Sequence, residues 1–402
     1  MKICPSCLER FPSPAERCPR HPERPLLRLA SGTGDALIGT LLDERYLVLE
    51  PLGEGAMGVV YTAWQLRVHR LVAVKVMRPE LSHPELRARF AREAEATARL
   101  SSRHTVAVYD SGQLADGTLY LAMALVPGRN LADVLEREGP LPLPRIRSLA
   151  LQLCDSLAEA HALGLVHRDI KAANLMVAEQ HGEEHLTVLD FGVVKVTDLA
   201  AHKLTRDGMA VGSLSTMSPE QIDGRDVGPP ADIYGVGVTL FHLATGAVPF
   251  DAPTPVALMY QHLSEPPPHL MAALGASPAV AALDAVLQRC MRKDPLERFA
   301  SAVDLKRALE SLPTGDPRPA SPTRRPAQRT RTGTRLRAAS ADPAEVPGVR
   351  AQDVQRRMTE RRLARPVPMS APTPRARRAR AIAFGLALAL GVAVLLDAIL
   401  TA

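Results

Sequence analysis

Two short segments in the middle of the chain constrain its fold more than any other feature. Residues 167–174 read His-Arg-Asp-Ile-Lys-Ala-Ala-Asn, and residues 190–192 read Asp-Phe-Gly. Together they supply a carboxylate, an ammonium group and two oxygen ligands for magnesium, which are the groups that phosphoryl transfer requires. A glycine-rich loop and a strand lysine precede the pair, and Ser-Pro-Glu follows it. Such an ordered series of motifs is not expected by accident.

The glycine-rich loop, residues 53–58, lies between two apolar runs of strand-forming residues, which predicts the tip of a hairpin. Gly53, Gly55 and Gly58 would let backbone N–H groups approach phosphate oxygens without a Cβ in the way. The main alternative is a dinucleotide-binding turn, which requires a helix directly after the glycines. Here a strand follows, and then Val-Ala-Val-Lys, with Lys75 in an apolar run where a charge needs a partner.

In these motifs the chain resembles a bacterial, eukaryotic-like serine/threonine protein kinase, from roughly Arg45 to Leu312. The resemblance implies an α+β fold with two lobes, a small β-rich lobe at residues 46–126 and a larger helical lobe at residues 127–312. ATP and magnesium, or manganese, would bind between the lobes. The implied activity is transfer of the ATP γ-phosphate to serine or threonine of proteins, including this chain itself.

The resemblance also assigns the catalytic roles. Asp169 would accept the hydrogen bond of the substrate hydroxyl, and Lys171 would neutralise charge on the γ-phosphate. The Asp-x-Lys spacing of these two residues is the serine/threonine form of the loop. Asn174 and Asp190 would supply oxygen ligands to magnesium.

Lys75 would hold the α- and β-phosphates and pair with a glutamate of the following helix, predicted from Glu85 to Leu100. Glu93 and Glu95 both compete for this pairing. The family's Arg-Glu-Ala pattern selects Glu93, since Glu95 lies on another face of the helix.

The nucleotide base is expected among apolar residues and at the segment that joins the lobes. The residues that match the family's adenine pocket are Leu52, Val60, Ala73, Met123 and Met176. Each would also suit an ordinary core. Backbone groups of Ala124 and Leu125 are predicted to meet the base, so alanine in place of the family's usual glutamate at position 124 should be tolerated.

The predicted activation segment runs from Asp190 to Glu220. By resemblance, Glu220 pairs with Arg298, and Asp232 supports the backbone of the catalytic loop. Thr205 is hypothesised to be the main autophosphorylation site, with Asp207 supplying a standing negative charge near Arg168. An equally acceptable interpretation is that Thr205 and Asp207 are ordinary polar loop residues.

The N-terminal segment, residues 1–30, contains a second pattern. Cys4, Cys7, Cys18 and His21 are spaced C-x2-C-x10-C-x2-H, which suits tetrahedral zinc and resembles a miniature zinc ribbon. Disulfides are the alternative, but three cysteines leave one over. Nucleic-acid binding is one role for such a segment, but because the segment lacks an aromatic and basic face, protein contact or a structural role is favoured.

The C-terminal segment carries a third pattern. Residues 381–396 contain no charged side chain, and residues 381–402 together reach the length of about 20 residues that a membrane-spanning helix needs. Arginines immediately before the run favour a single-pass inner-membrane anchor with the kinase domain in the cytoplasm. Residues 313–380, rich in proline and arginine, predict a disordered linker.

Two other function classes compete with an active kinase. A pseudokinase scaffold should lack Lys75, Asp169, Asn174 or Asp190, and all four are present. A zinc-dependent nucleic-acid binder carrying a passenger kinase would depend on residues 1–30 alone. Dimerisation for phosphorylation in trans is a further expectation. The net charge of +6 owes much to the linker and says little about partners of the folded part.

Overall fold

Segments in which apolar residues alternate with polar ones form a sheet, and amphipathic segments form helices. The computed structural model describes residues 1–30, 34–55, 57–79, 84–191 and 214–313. The chain divides into two units, Met1–Val349 and Arg350–Ala402, and every described residue belongs to the first. The predicted linker beyond Pro313 and the predicted membrane helix at 381–402 lie outside the described residues. Within the described part of the chain, no helix combines the length and apolar character that crossing a bilayer requires.

Residues 1–30, here called the N-terminal module, form a small antiparallel sheet. Strand β1 (Lys2–Ile3) lies between β2 (Arg10–Phe11) and β3 (Leu27–Arg28) and pairs with both. Five apolar residues of the module are buried, namely Ile3, Cys4, Pro5, Cys18 and Leu29. A segment with so few buried side chains has little core of its own and needs a cross-link or a neighbour to stay folded.

The small lobe is a six-stranded antiparallel sheet. Its strands are β4 (Leu41–Leu42), β5 (Tyr46–Gly55), β6 (Gly58–Gln65), β7 (Arg70–Met77), β8 (Val108–Gln113) and β9 (Leu119–Ala124), in the order β4-β5-β6-β7-β9-β8. The period of two that strands impose on side chains separates its two faces. On β7, Val72 and Val74 join one apolar cluster, whereas Ala73 and Met77 join another on the opposite face. Lys75 therefore points to the second face.

The sheet begins earlier than the predicted lobe boundary at Tyr46, because Leu41 and Leu42 pair with the start of β5. Helix α1 (Pro84–Ala98) matches the helix predicted over residues 85–100. Its buried residues Phe90 and Ala94 pack against the second face of the sheet.

The large lobe is helical. Its helices are α2 (Leu131–Glu138), α3 (Leu143–Ala162), α4 (Pro219–Ile222), α5 (Pro229–Thr245), α6 (Pro255–Ser264), α7 (Leu270–Leu274), α8 (Pro278–Cys290) and α9 (Ala302–Glu310). Helix α5 is apolar on most sides and is buried from Ala231 to Phe241, so it forms the centre of this lobe. The predicted two-lobed α+β architecture is confirmed.

A three-stranded sheet brings the two central motifs together. Strands β10 (Arg129–Asn130), β11 (Leu175–Gln180) and β12 (Glu183–Val188) pair in that order. The β11–β12 hairpin aligns Leu175 with Val188. Because residues 167–174 precede this hairpin and residues 190–191 follow it, its closure places both motifs at one end of the sheet.

Candidate active site

The catalytic loop folds around Asp169. Lys171 Nζ lies 3.1 Å from Asp169 Oδ2. Asn174, in a short 3-10 turn at Ala172–Asn174, donates from Nδ2 to the Asp169 carbonyl oxygen at 2.8 Å and to Asp169 Oδ2 at 3.2 Å. The structure thus brings together the carboxylate, the ammonium group and the amide that the sequence predicts at this site.

Asp232 holds the backbone of this loop from the centre of the large lobe. Its carboxylate accepts the N–H of His167 at 2.8 Å and the N–H of Arg168 at 2.7 Å. Arg168 has φ of +65°, a conformation that costs a non-glycine residue about 1–2 kcal/mol. Hydrogen bonds to a buried carboxylate offset that cost, because charged acceptors bind N–H groups strongly. His161 Nε2 makes a third contact with Asp232 at 2.8 Å.

His167 is a structural residue of the loop. Its Nδ1 accepts the N–H of Asp169 at 3.2 Å, and Nε2 donates to the carbonyl oxygen of Leu189 at 2.7 Å. The ring packs edge-on against Phe191 with centroids 4.8 Å apart. Burial lowers the pKa of His167, which keeps the imidazole neutral in this arrangement.

Lys75 has a different partner from the one predicted. Its Nζ lies 2.9 Å from Asp190 Oδ2, and Arg89 Nε lies 2.9 Å from Glu93 Oε1. Between the described side chains of Lys75 and Glu93 the structure shows no ion pair, so that predicted contact is wrong for this conformation. Arg89 stands one turn before Glu93 on the same helix, where opposite charges meet readily. Asp190, with φ of +54°, turns towards the strand lysine.

The oxygen ligands fit a magnesium ion. Asn174 uses its Nδ2 for Asp169, which leaves its carbonyl oxygen for a cation. The carboxylate of Asp190 is about one-third exposed. Amide and carboxylate oxygens are the donors that magnesium prefers.

The glycine-rich loop leaves room for phosphate. A Cβ on Gly53 or Gly55 would meet no protein atom within 4 Å, so the backbone there is open to a ligand. A Cβ on Gly58 would lie 2.0 Å from the carbonyl oxygen of Val76, so this position accepts only glycine. Ala56 and Gly192 lie outside the described residues.

The residues predicted to hold the base differ in how far they are buried. Ala73 and Met123 are buried in the cluster beneath the sheet, whereas Leu52 is 51% exposed. Three other predicted residues are partly buried beside that cluster, namely Val60, Ala124 and Leu125. Met176, on β11 in the other lobe, is also partly buried. Partly covered apolar side chains suit the flat face of a purine.

The structure shows which backbone group of Ala124 is already occupied at the predicted hinge. The N–H of Ala124 already donates to the carbonyl oxygen of Ala107 at 2.9 Å. Ala124 can therefore offer a base only its carbonyl group. Ala124 is the last residue of β9, and Ala107 directly precedes β8, the strand that pairs with β9 on that side.

The start of α4 is fixed to the rest of the large lobe. Glu220 forms a two-pronged ion pair with Arg298 at 2.7 and 2.8 Å, and both side chains are buried. Gln221 donates to the carbonyl oxygen of Arg168 at 2.9 Å. Thr205, Asp207 and the remaining activation segment from 192 to 213 lie outside the described residues.

Sequence reasoning missed three residues that support the catalytic loop. These are His161, Gln221 and Thr239, whose hydroxyl donates to the Ile170 carbonyl oxygen at 3.2 Å. Of the three, only Gln221 carries a sequence signal, since it directly follows Ser-Pro-Glu.

A second cluster lies in the N-terminal module. The ligand atoms of Cys4, Cys7, Cys18 and His21 all lie within 4.8 Å of one another. Cys7 Sγ lies 3.7 Å from Cys18 Sγ, and His21 Nδ1 lies 3.6 Å from Cys4 Sγ and 3.7 Å from Cys18 Sγ. Sulfurs bonded to zinc at about 2.3 Å with tetrahedral angles stand about 3.8 Å apart, so the spacing fits that ion. A backbone hydrogen bond from Glu9 lowers the pKa of Cys7 to about 7.

Comparisons with known proteins agree with this geometry. The family model described as protein kinase domain matches residues 46–309. Serine/threonine-protein kinase pkn3 of Myxococcus xanthus is 37% identical over 282 residues, which cover 69% of this chain and 52% of that protein. Serine/threonine-protein kinase PknB of Mycobacterium tuberculosis is 35% identical over 294 residues, which cover 72% of this chain and 46% of that protein.

The chain thus spans about half the length of the curated relatives it matches. The crystal structure of the Mycobacterium tuberculosis PknI kinase domain aligns with a TM-score of 0.52 and 30% identity, covering 70% of this chain and 98% of that one. The chain therefore belongs to the protein kinase family, within which its domain is a bacterial serine/threonine kinase domain.

Proposed function

We propose that this chain transfers the γ-phosphate of ATP to serine and threonine hydroxyls of proteins in bacterial signalling. The observation that carries the proposal is the joint placement of Asp169, Lys171 and Asn174 within hydrogen-bond or ion-pair distance. Asp190 stands against Lys75 after the hairpin that connects the two motifs. A pseudokinase scaffold would not need all five groups.

The chain's own residues divide the work of phosphoryl transfer. Asp169 orients the acceptor hydroxyl and takes its hydrogen bond, while Lys171 faces the developing charge on the transferred group. When ATP binds, Lys75 exchanges its contact with Asp190 for phosphate oxygens. Bound magnesium neutralises phosphate charge, and Asn174 and Asp190 are the residues that would hold it.

Replacing Asp169 by asparagine tests this assignment. The amide keeps the size of the side chain but cannot accept a hydroxyl hydrogen bond as a carboxylate does. We expect the rate of transfer to a generic serine- and threonine-containing protein to fall by about 100-fold or more. The matched control is Asp251→Asn, at an exposed aspartate of the large lobe, which should keep full activity. An Asp169→Asn variant as active as the control would refute the assignment.

Autophosphorylation is the second part of the proposal, with Thr205 as the main acceptor and a transient dimer as the arrangement for transfer in trans. The support is the sequence alone, since position 205 lies outside the described residues. Mass spectrometry of the chain after incubation with ATP should find Thr205 modified in the wild type. Unchanged phosphate content in Thr205→Ala would contradict the assignment of Thr205 as the main autophosphorylation site.

Zinc binding by the N-terminal module is a separate proposal, supported by the tetrahedral spacing of three thiols and one imidazole. Elemental analysis of the purified chain should give about one zinc per chain. Cys18→Ser should lose that metal, whereas Cys154→Ser, at a buried cysteine of the large lobe, should keep it. Equal zinc content in the two variants would contradict the site.

Anchoring at the cell inner membrane is proposed from the sequence of residues 381–402, with residues 313–380 as a tether and the kinase domain in the cytoplasm. Fractionation of cells should find the full chain in the membrane pellet and a chain truncated after residue 380 in the soluble fraction. The same distribution for both would contradict the anchor.

A further inference from the structure

The N-terminal module shares an apolar core with the small lobe. Ile3 and Leu29 of the module pack with Leu47 and Leu49 of β5, and we call these four residues the docking cluster. All four are buried, and Leu47 is fully so. The neighbouring residues Tyr46 and Val48 of the same strand belong to the cluster on the opposite face of the sheet. The module thus covers one face of β5.

Backbone and side-chain contacts extend this packing. The N–H of Ala30 donates to the carbonyl oxygen of Leu49 at 3.0 Å. Arg10 Nη2 donates to the carbonyl oxygen of Ile38 at 3.5 Å, in the segment that leads into β4. The module therefore contacts β5 through both apolar packing and a main-chain hydrogen bond.

The position of this contact along β5 matters for the active site. The strand is buried from Tyr46 to Leu49 and exposed from Glu50 to Gly55. Its pairing with β6 is irregular between Val48 and Glu50 and again between Pro51 and Gly53. The docking cluster therefore ends at Leu49, at the first irregularity of the strand, with three residues between Leu49 and the start of the glycine-rich loop at Gly53.

One of the four candidate metal ligands adjoins the docking cluster. Cys4 directly follows Ile3, and the N–H of Leu29 donates to the carbonyl oxygen of Met1 at 3.0 Å. The three strands of the module are two residues long each, so they contribute little stability without a cross-link. Loss of a bound metal would release Ile3 and Leu29 together.

We propose that Ile3 and Leu29 are positioning residues for the glycine-rich loop, and that a zinc ion held by Cys4, Cys7, Cys18 and His21 determines how firmly they hold β5. This inference rests on the proposed kinase activity and on the proposed zinc site. The reacting groups Lys75, Asp169 and Asp190 do not belong to the docking cluster. The module accordingly affects nucleotide binding and leaves the chemical step unchanged.

The experiment compares the full chain with and without zinc. The metal is removed by a zinc-selective chelator that leaves magnesium in solution, and is then added back. Without zinc, we expect KM for ATP and the dissociation constant of ADP to rise about three- to tenfold. This rise corresponds to a glycine-rich loop that holds its binding position about a third to a tenth of the time. The kcat at saturating ATP should not change, and re-addition of zinc should restore both constants.

A pair of variants separates docking from metal binding. Leu29→Ala removes part of the docking cluster but no ligand, so it should keep its zinc and still show the raised KM for ATP and dissociation constant of ADP. Leu8→Ala changes an exposed side chain of the same module outside the cluster and should behave as wild type. Retention of kcat by Leu29→Ala shows that the variant is folded.

The outcomes distinguish the three ideas. Absence of zinc from the purified chain overturns the metal site and the zinc-dependent part of the inference. A zinc-loaded chain whose KM for ATP and affinity for ADP respond neither to the chelator nor to Leu29→Ala overturns the positioning role while the metal site stands. A chain that binds zinc but transfers no phosphate overturns the kinase activity, and the ADP measurement still tests the positioning role.

Discussion

Replacing Asp232 by asparagine should damage catalysis without touching any reacting group. The carboxylate accepts two backbone N–H groups of the catalytic loop and contacts His161 Nε2. The N–H of His167 bonds Oδ2 and that of Arg168 bonds Oδ1, and asparagine keeps an oxygen at only one of these two positions, so one N–H faces the amide NH2 group instead. An oxygen kept at the Oδ2 position still contacts His161 Nε2 and the N–H of His167, so the NH2 group then faces the N–H of Arg168.

The magnitude follows from the single N–H that is left without an acceptor. A buried donor that loses its partner costs about 1–3 kcal/mol. Because the loop must hold Asp169 in place during transfer, we expect that cost to raise the activation barrier and lower kcat by about 5- to 150-fold. The KM for ATP should change little, because the catalytic loop is separate from the glycine-rich loop that binds the nucleotide.

Asp284 provides the matched control. It is as buried as Asp232 and accepts the N–H of Leu270 at 2.7 Å and a contact from His269 Nδ1 at 2.6 Å, but it lies far along the chain from the catalytic loop. Asp284→Ala also leaves one buried N–H without an acceptor, so its melting temperature should fall comparably. Its kcat should stay near that of the wild type.

The assay is steady-state phosphate transfer at a temperature where circular dichroism shows both variants folded. If Asp232→Asn and Asp284→Ala lose the same fraction of kcat, the loss reflects general stability and the argument about the loop is wrong. If Asp232→Asn keeps full activity, the hydrogen bonds to His167 and Arg168 do not position Asp169.

Three further predictions concern a buried ion pair, the glycine-rich loop and the dependence of stability on pH. Glu220→Ala leaves Arg298 as an unpaired buried charge and should lower the unfolding free energy by about 3–5 kcal/mol in a denaturant titration; a loss of less than about 1 kcal/mol, the value of an exposed pair, would contradict this. Gly58→Ala forces a Cβ against the Val76 carbonyl and should weaken ATP binding about tenfold or more by calorimetry, since small displacements near bound phosphate are costly; unchanged binding would contradict it. Burial lowers the pKa of His262 to about 3 from its ordinary value of about 6.5, so the unfolded state binds the proton first and stability should fall as pH drops below about 6.5. His262→Leu should flatten that part of the pH profile, and an identical profile would refute the assignment.

Sequence patterns predicted the features that depend on spacing along the chain. Asp169, Lys171 and Asn174 meet because they belong to one short loop, and Asp190 joins them through a two-stranded hairpin. The helix predicted over residues 85–100 follows from local periodicity and ends within two residues of α1. Local rules suffice for such elements.

The choice among equivalent partners could not be predicted in this way. Lys75 had Glu93 and Asp190 as possible acceptors, and Glu93 had Arg89 one turn away. The energies of such pairs differ by less than sequence reasoning resolves, and the conformation of the whole lobe decides between them.

Contacts between segments that are distant along the chain could not be predicted from the sequence either. Ile3 and Leu29 lie in a cysteine-containing segment, and no local pattern near them points to Leu47 or Leu49. The same holds for His161 of α3, which contacts Asp232 of α5. Such long-range packing follows from topology, which single-sequence patterns specify poorly.

The central claim is that this chain moves the terminal phosphate of ATP to serine and threonine side chains. The most direct test is incubation of the purified full chain with magnesium, γ-labelled ATP and a mixed protein acceptor, followed by identification of the labelled amino acids. We expect label on serine and threonine and loss of that label without magnesium. Absence of transfer, or label confined to tyrosine, would contradict it.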